Sequence, residues 1–301
     1  EITTRLVGSE MCIRDRNLMN EYIFAAKVTT GCPCNCSFCS NRKQAHKKRK
    51  SNGIMTIKMY EEYCNAIAGI GARYICLSGG EPTILENLEE YIKIAKKYDL
   101  VVRVNTNGWG ITNERFLSLL DAGLDQIVMS VYSLDKSLME KVRNREGIYE
   151  RAMNALEVIG NTKTIKSFLF IVQTIIMKDN YKEIPDILRV AIENNADVFW
   201  PSYLEDAQNN MEVNLSEEEI LDFTTNVVPR MKEYFEKFIR DQYIVCTNIE
   251  NCNRLFKPDT LRGDFAKGIY HYGLHDCALL NRYACLHVNG NLTPVSYTHL
   301  T

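Results

Sequence analysis

Residues Gly31-Cys32-Pro33-Cys34-Asn35-Cys36-Ser37-Phe38-Cys39 place four thiols within eight positions, directly after a strand-like run from Tyr22 to Thr30. Thiolates packed this densely on one loop repel one another unless a cation or an iron–sulfur cluster takes up their charge, so the stretch reads as a metal site. Cys32, Cys36 and Cys39 follow C-x3-C-x2-C, with aromatic Phe38 just before the last of them, and Cys34 is surplus to that spacing. Zinc is the alternative occupant. Structural zinc, however, takes four ligands in two short-spaced pairs, and no second C-x2-C is present.

Beyond this loop, Arg42 to Asn52 is basic and reads as a solvated loop, or else as a docking site for an acidic substrate or redox partner. Thr56 to Ala68 has helical spacing in Tyr60, Tyr63, Ala66 and Ile67, and Gly69 ends it. Tyr74-Ile75-Cys76-Leu77 is a short strand running into Ser78-Gly79-Gly80-Glu81-Pro82-Thr83, where glycines permit close approach to backbone and Pro82 fixes the turn. Helix Leu85 to Lys97 and strand Val101 to Val104 lead to Asn105-Thr106-Asn107-Gly108, whose amides either close a turn or meet a ligand. A helix from Glu114 to Ala122 precedes the strand from Gln126 to Val131, which contains Ser130. After a helix from Tyr149 to Ile159, the nearly unbroken apolar run from Phe168 to Ile176 predicts a parallel strand covered on both faces, interrupted by Gln173. Helix Tyr181 to Asn194 and strand Asp197 to Trp200 complete six strand–helix units, with Pro201 to Asp206 at the last strand's end.

A three-cysteine loop followed after about forty residues by Gly79-Gly80-Glu81-Pro82, then by Asn105-Thr106-Asn107-Gly108, resembles the radical S-adenosylmethionine (radical SAM) superfamily over Tyr22 to Pro201. The resemblance implies an α/β fold, an open, partial (βα)6 TIM-like barrel. It also implies a 4Fe-4S cluster on Cys32, Cys36 and Cys39, with the fourth iron open to chelate S-adenosylmethionine. Gly79, Gly80 and Glu81 would meet the methionine amino group, Asn105 and Asn107 the ribose, and Ser130 and Gln173 are further contacts; an ordinary strand serine and a barrel-lining glutamine are the plainer readings. On this basis Gly80→Val should spare the cluster and weaken cofactor binding. The implied activity is reductive cleavage to a 5′-deoxyadenosyl radical that abstracts hydrogen from substrate, fed by flavodoxin or ferredoxin. The expected substrate is a peptide or protein, with a twitch-type small-molecule enzyme resembling molybdopterin-precursor synthases as second choice. A non-catalytic zinc- or iron-binding module is the rival from another class.

Ser216 to Asp241 reads as a long amphipathic helix opened by a capping box, Ser216-Glu217-Glu218-Glu219. Further on, Cys277 and Gly290 are separated by twelve intervening residues, and the spacing resembles the opening of a SPASM or twitch extension that would hold an auxiliary iron–sulfur cluster. A β-hairpin at His287 to Leu292, turning at Asn289-Gly290, is the alternative, and both readings are compatible. Glu10-Met11-Cys12-Ile13-Arg14-Asp15 and Val295-Ser296-Tyr297-Thr298-His299-Leu300 are what a transposase sequencing adapter and its reverse complement encode. Residues 1–16 and 295–301 are therefore expected to be artefact, with the barrel at 17–215, an incomplete cysteine-containing extension at 216–294, and a natural cysteine at 295. The net charge of −2 excludes nothing, and a hydrophobic share of 46% without a membrane-length apolar run predicts neither membrane nor nucleic-acid partners. Eleven cysteines, clustered and odd in number, fit reduced metal-binding thiols and a cytoplasmic setting.

Overall fold

The computed structural model describes residues 23–39, 53–202, 212–238, 283–286, 288, 290 and 292–293. Strand β1 (Ile23–Thr29) leads into the cysteine loop. Helix α1 (Ile57–Gly69), strand β2 (Tyr74–Gly79), helix α2 (Leu88–Lys97), strand β3 (Val101–Thr106), helix α3 (Asn113–Asp121) and strand β4 (Gln126–Ser130) then alternate. Helices α4 (Lys136–Arg143) and α5 (Ile148–Lys163) separate β4 from strand β5 (Leu169–Ile175), and helix α6 (Ile184–Glu193) separates β5 from strand β6 (Val198–Ser202).

These strands lie side by side in chain order and all run parallel, as helical crossovers require. Alternation along each strand divides the side chains between two faces. Phe24, Ile75, Leu77, Val104, Phe170 and Phe199 belong to one continuous core shared with the helices. The inner face carries smaller groups, Ala25 with Cys76 and then Val128, Ile171 and Val198 packed with half-buried Trp200. Thr56, Thr112 and Asp135 start their helices by accepting a backbone N–H from Met59, Arg115 and Leu138 respectively, the bond expected of a good N-cap.

The structure departs from the sequence reading in three places. Helix α4 has no counterpart in the sequence reading, which assigns nothing between Val131 and Tyr149; Asp135 caps it and Met139 and Val142 bury its inner side. The predicted long helix is instead α7 (Glu217–Asp222), a π-helical turn (Phe223–Val227) and α8 (Val228–Phe238), with the capping box at Ser216 and Glu219 in place. Finally, the sheet has eight strands: β7 (Tyr283–Leu286) joins β1 in parallel on the side away from β2, and β8 (Leu292–Thr293) returns antiparallel to it. The hairpin reading holds, with strands lying further out than expected and Gly290 at φ 81° between them. Among the described residues no helix is long and apolar enough to cross a membrane.

Candidate functional site

Parallel strands place all their carboxyl ends on one edge, and the cysteine loop is fastened there to the turn after β2. Gly80 N–H donates to Thr29 O at 2.7 Å and Glu81 N–H to Gly31 O at 2.8 Å. A Cβ built on Gly79, where φ is 130°, would stand 2.2 Å from Thr29 O, and one on Gly80 would stand 1.9 Å from Gly31 O. The loop's own backbone therefore demands both glycines. This argues against the expectation that Gly80→Val would spare the cluster, since the added side chain would push on the root of the cysteine loop.

Glu81 is 1% exposed, and its carboxylate is a knot between two strand ends. Oε1 accepts from Thr83 Oγ1 at 2.6 Å and Thr106 Oγ1 at 2.7 Å, while Oε2 accepts from Asn107 N–H at 2.6 Å. Burial raises its pKa and these hydrogen bonds oppose the rise. Asn107, so fixed, directs Nδ2 at the cysteine sulfurs, 3.7 Å from Cys32 Sγ and 3.6 Å from Cys34 Sγ. Asn105 Oδ1 is buried without a hydrogen-bond partner.

The residue that the sequence reading missed is Arg143, the last residue of α4. It is 4% exposed, donates from Nη2 to Ser130 O at 2.9 Å and lies 4.0 Å above the Tyr132 ring. Its carbonyl accepts from Asn35 N–H within the cysteine loop at 2.9 Å, and its Nε is buried without a partner. Burial opposes its charge, but Tyr132, Cys36, Cys34 and Glu81 outweigh that and hold its pKa above the usual value. Phe38 packs edge-on against Tyr132 with centroids 5.3 Å apart, so the ring before the last cysteine ties the loop to the same arginine. The signal available in the sequence was Asp135 followed by Leu138, Met139 and Val142 at helical spacing.

All four loop cysteines are free thiols. A hydrogen bond from Cys34 holds the Cys32 thiol below its ordinary pKa against the effect of burial, with Arg143 assisting; Cys34 is pushed up by that same bond and by burial. Burial raises Cys36, opposed by Arg143. Among the described residues, no three His, Cys, Asp or Glu side chains converge on one point at single-ion distance. Three thiols on one loop beside a buried guanidinium fit a polynuclear iron–sulfur group, in which each thiolate takes a different iron and the arginine offsets shared negative charge.

Of the other candidates, Ser130 pairs with Gln173 across β4 and β5, and Gln173 Nε2 donates to Ser202 Oγ at 3.4 Å. Trp109, just past Asn107, is held between two guanidiniums, Arg145 at 4.5 Å and Arg151 at 4.2 Å from its ring centre. It walls a groove of about 480 Å³ that also meets Ile111, Thr112, Gly147 and Glu150. Cys277 and the basic stretch 42–52 lie outside the described residues, except Gly53, which abuts the latter and clasps Thr30 through N–H to Oγ1 at 2.9 Å.

A parallel strand–helix sheet whose strand ends gather a three-cysteine loop, a glycine turn and a buried arginine defines a cofactor-dependent enzyme of the half-barrel class. Residues 26–191 match the family model described as "Radical SAM superfamily", and the chain belongs to that superfamily. That membership sets aside the non-catalytic module. The chain is 28% identical over 171 residues to a PqqA peptide cyclase of Bradyrhizobium diazoefficiens, covering 57% of this chain and 43% of the relative. With a GTP 3',8-cyclase of Aquifex aeolicus it shares 31% over 170 residues, covering 56% and 52%. The chain thus spans about half the length of these curated relatives. Streptococcus suis SuiB bound to its precursor peptide SuiA has the same fold, with a TM-score of 0.67 at 14% identity, covering 98% of this chain and 65% of SuiB.

Proposed function

We propose that this chain is a radical SAM peptide or protein maturase whose cluster is held by Cys32, Cys36 and Cys39. The carrying observation is the meeting of the three thiols with Asn107 and Arg143, each fixed by buried hydrogen bonds at a different strand end. When bound, the 4Fe-4S cluster and S-adenosylmethionine supply one-electron reductive cleavage and a 5′-deoxyadenosyl radical that takes hydrogen from substrate. The chain's own residues bind and orient. Arg143 offers a buried cation with an unused Nε toward a carboxylate or the cluster's charge, and Asn107 offers N–H groups beside the thiols. Gly79 and Gly80 hold the loop's root, Glu81 locks the turn to β3, and Asn105, Ser130 and Gln173 line the inner face for the adenosyl end. Flavodoxin or ferredoxin is the proposed electron donor, and Cys277 the proposed first ligand of an auxiliary cluster.

Likeness to a peptide cyclase and to the SuiB fold supports the peptide reading. The GTP 3',8-cyclase relative supports a small-molecule enzyme as the second reading. Anaerobically reconstituted protein should be brown, bleach with dithionite and release 5′-deoxyadenosine; Cys32→Ala, Cys36→Ala and Cys39→Ala should each abolish this. A colourless protein carrying stoichiometric zinc after reconstitution would overturn the proposal. Release stimulated by GTP, and by no peptide encoded beside the gene, would transfer it to the second reading.

A further inference from the structure

We propose that Arg103 determines substrate choice, as an anchor on the inner face of the sheet for a carboxylate side chain of the peptide substrate. This role deepens the peptide reading above and rests on it. Side chains alternate along a strand, so the register identifies the inner-facing positions, and Ala25, Cys76, Arg103, Gln126 and Leu169 lie side by side across β1 to β5. Val102 and Val104, the neighbours of Arg103 in the chain, turn the other way into the core shared with the helices. Arg103 is half-buried, and its Nε donates to Gln126 Oε1 at 2.8 Å. Gln126 is 7% exposed and neutral, so it aims the guanidinium without answering its charge. Among the described residues no carboxylate forms an ion pair with Arg103. No aspartate or glutamate occupies an inner-facing position of β1 to β6, and Lys27 adds a second cation one layer nearer the cysteine loop.

An arginine on a strand is often only a solvated head on a packed stem. This one stands inside a six-residue strand, between the small side chain of Cys76 and the buried amide of Gln126. With Nε engaged, the N–H groups on Nη1 and Nη2 remain, and these grip the two oxygens of a carboxylate at once. The inner face thus matches an anionic group in charge and in geometry. Counted along β3, Arg103 lies about 7 Å from the level of Asn105, whose Oδ1 is buried without a partner. A carboxylate held by Arg103 leaves the carbons that bear it toward Asn105, the level proposed above for the adenosyl end. An amide in the carboxylate's place keeps the shape and loses the charge, which makes asparagine and glutamine the side chains that this site rejects.

The test presents a random peptide library, each peptide displayed on its own messenger RNA, to the full chain reconstituted anaerobically. Peptides retained by the parent chain are expected to share an aspartate or glutamate at one aligned position. A retained peptide resynthesised with asparagine or glutamine there should bind the parent about tenfold more weakly. Arg103→Gln should bind both forms alike. Gln126→Glu sets a carboxylate beside the guanidinium while keeping Arg103, and should lose the same discrimination, which serves equally should Arg103→Gln misfold. Circular dichroism and iron content matching the parent establish that a variant is folded and loaded. A library that yields no acid-enriched peptide, or acid-enriched peptides that parent and variants bind alike, would overturn the proposal. Release of 5′-deoxyadenosine stimulated by GTP, and by no retained peptide, would instead fail the peptide reading itself, and Arg103 as a peptide anchor with it.

Discussion

Arg143 and Tyr132 show how single side chains tune the site. The guanidinium is a buried positive charge beside Cys34 and Cys36, and it favours the more negative, reduced form of whatever the thiols hold. Arg143→Met should therefore lower the cluster's midpoint potential; a partly screened unit charge is worth about 1 kcal/mol, or about 40 mV for one electron. A mediator titration followed by electron paramagnetic resonance checks the shift, and an unchanged potential would remove the arginine from the cluster's surroundings. The phenol of Tyr132 is pushed up to about 12, chiefly by burial. Because its folded pKa exceeds the unfolded value of about 10, the stability it contributes is complete below that value and is lost as pH rises toward 12. Melting curves at neutral pH and near pH 11 should accordingly show a smaller alkaline loss for Tyr132→Phe than for the parent. The three ligand cysteines were legible in the sequence because their spacing is local and their chemistry has few alternatives. Arg143 was not, since its meaning depends on Asn35 and Tyr132, more than 10 residues away on other segments.

Strands, turns and helices were read with uneven success for a physical reason. Strands buried on both faces announce themselves as apolar runs, and β2 through β6 were placed within a few residues. Helix α4 is short, and its charged outer face masked Met139 and Val142. The turn after β2 was recognised by its glycines, and beside the ligand contact expected of them the Thr29 and Gly31 carbonyls supply a second reason for both. Gly80→Ala is accordingly expected to lower iron content together with cofactor affinity, because a Cβ 1.9 Å from Gly31 O forces the cysteine loop to move. Iron assay and equilibrium binding of S-adenosylmethionine on one preparation separate the two ideas: full iron with weakened binding would restore the ligand explanation. Glu81, likewise expected to contact the cofactor, also has its carboxylate oxygens engaged by Thr83, Thr106 and Asn107, which ties the turn after β2 to the end of β3.

At the scale of the molecule, β1 is an interior strand, bordered by β2 and β7, so the cysteine loop springs from a doubly supported strand. The sixfold alternation was readable from periodicity, whereas the pairing of β7 with β1 joins segments some 260 residues apart and leaves no local trace. Reconstituted chain should bind about four irons if the three-cysteine loop is its whole complement. A clear excess by iron and sulfide analysis would place further ligands among the cysteines at 246, 252, 277 and 285. The chain's two tryptophans are differently housed, Trp109 clamped between guanidiniums on the groove wall and Trp200 half-buried on the inner face of the sheet. Intrinsic fluorescence can consequently be divided between two reporters. Cluster insertion should quench the emission of Trp109, which follows Asn107 by two residues, and Trp109→Phe should leave a signal from Trp200 alone. A molecule settling in the groove would then announce itself as a change in colour of emitted light before any product had been identified.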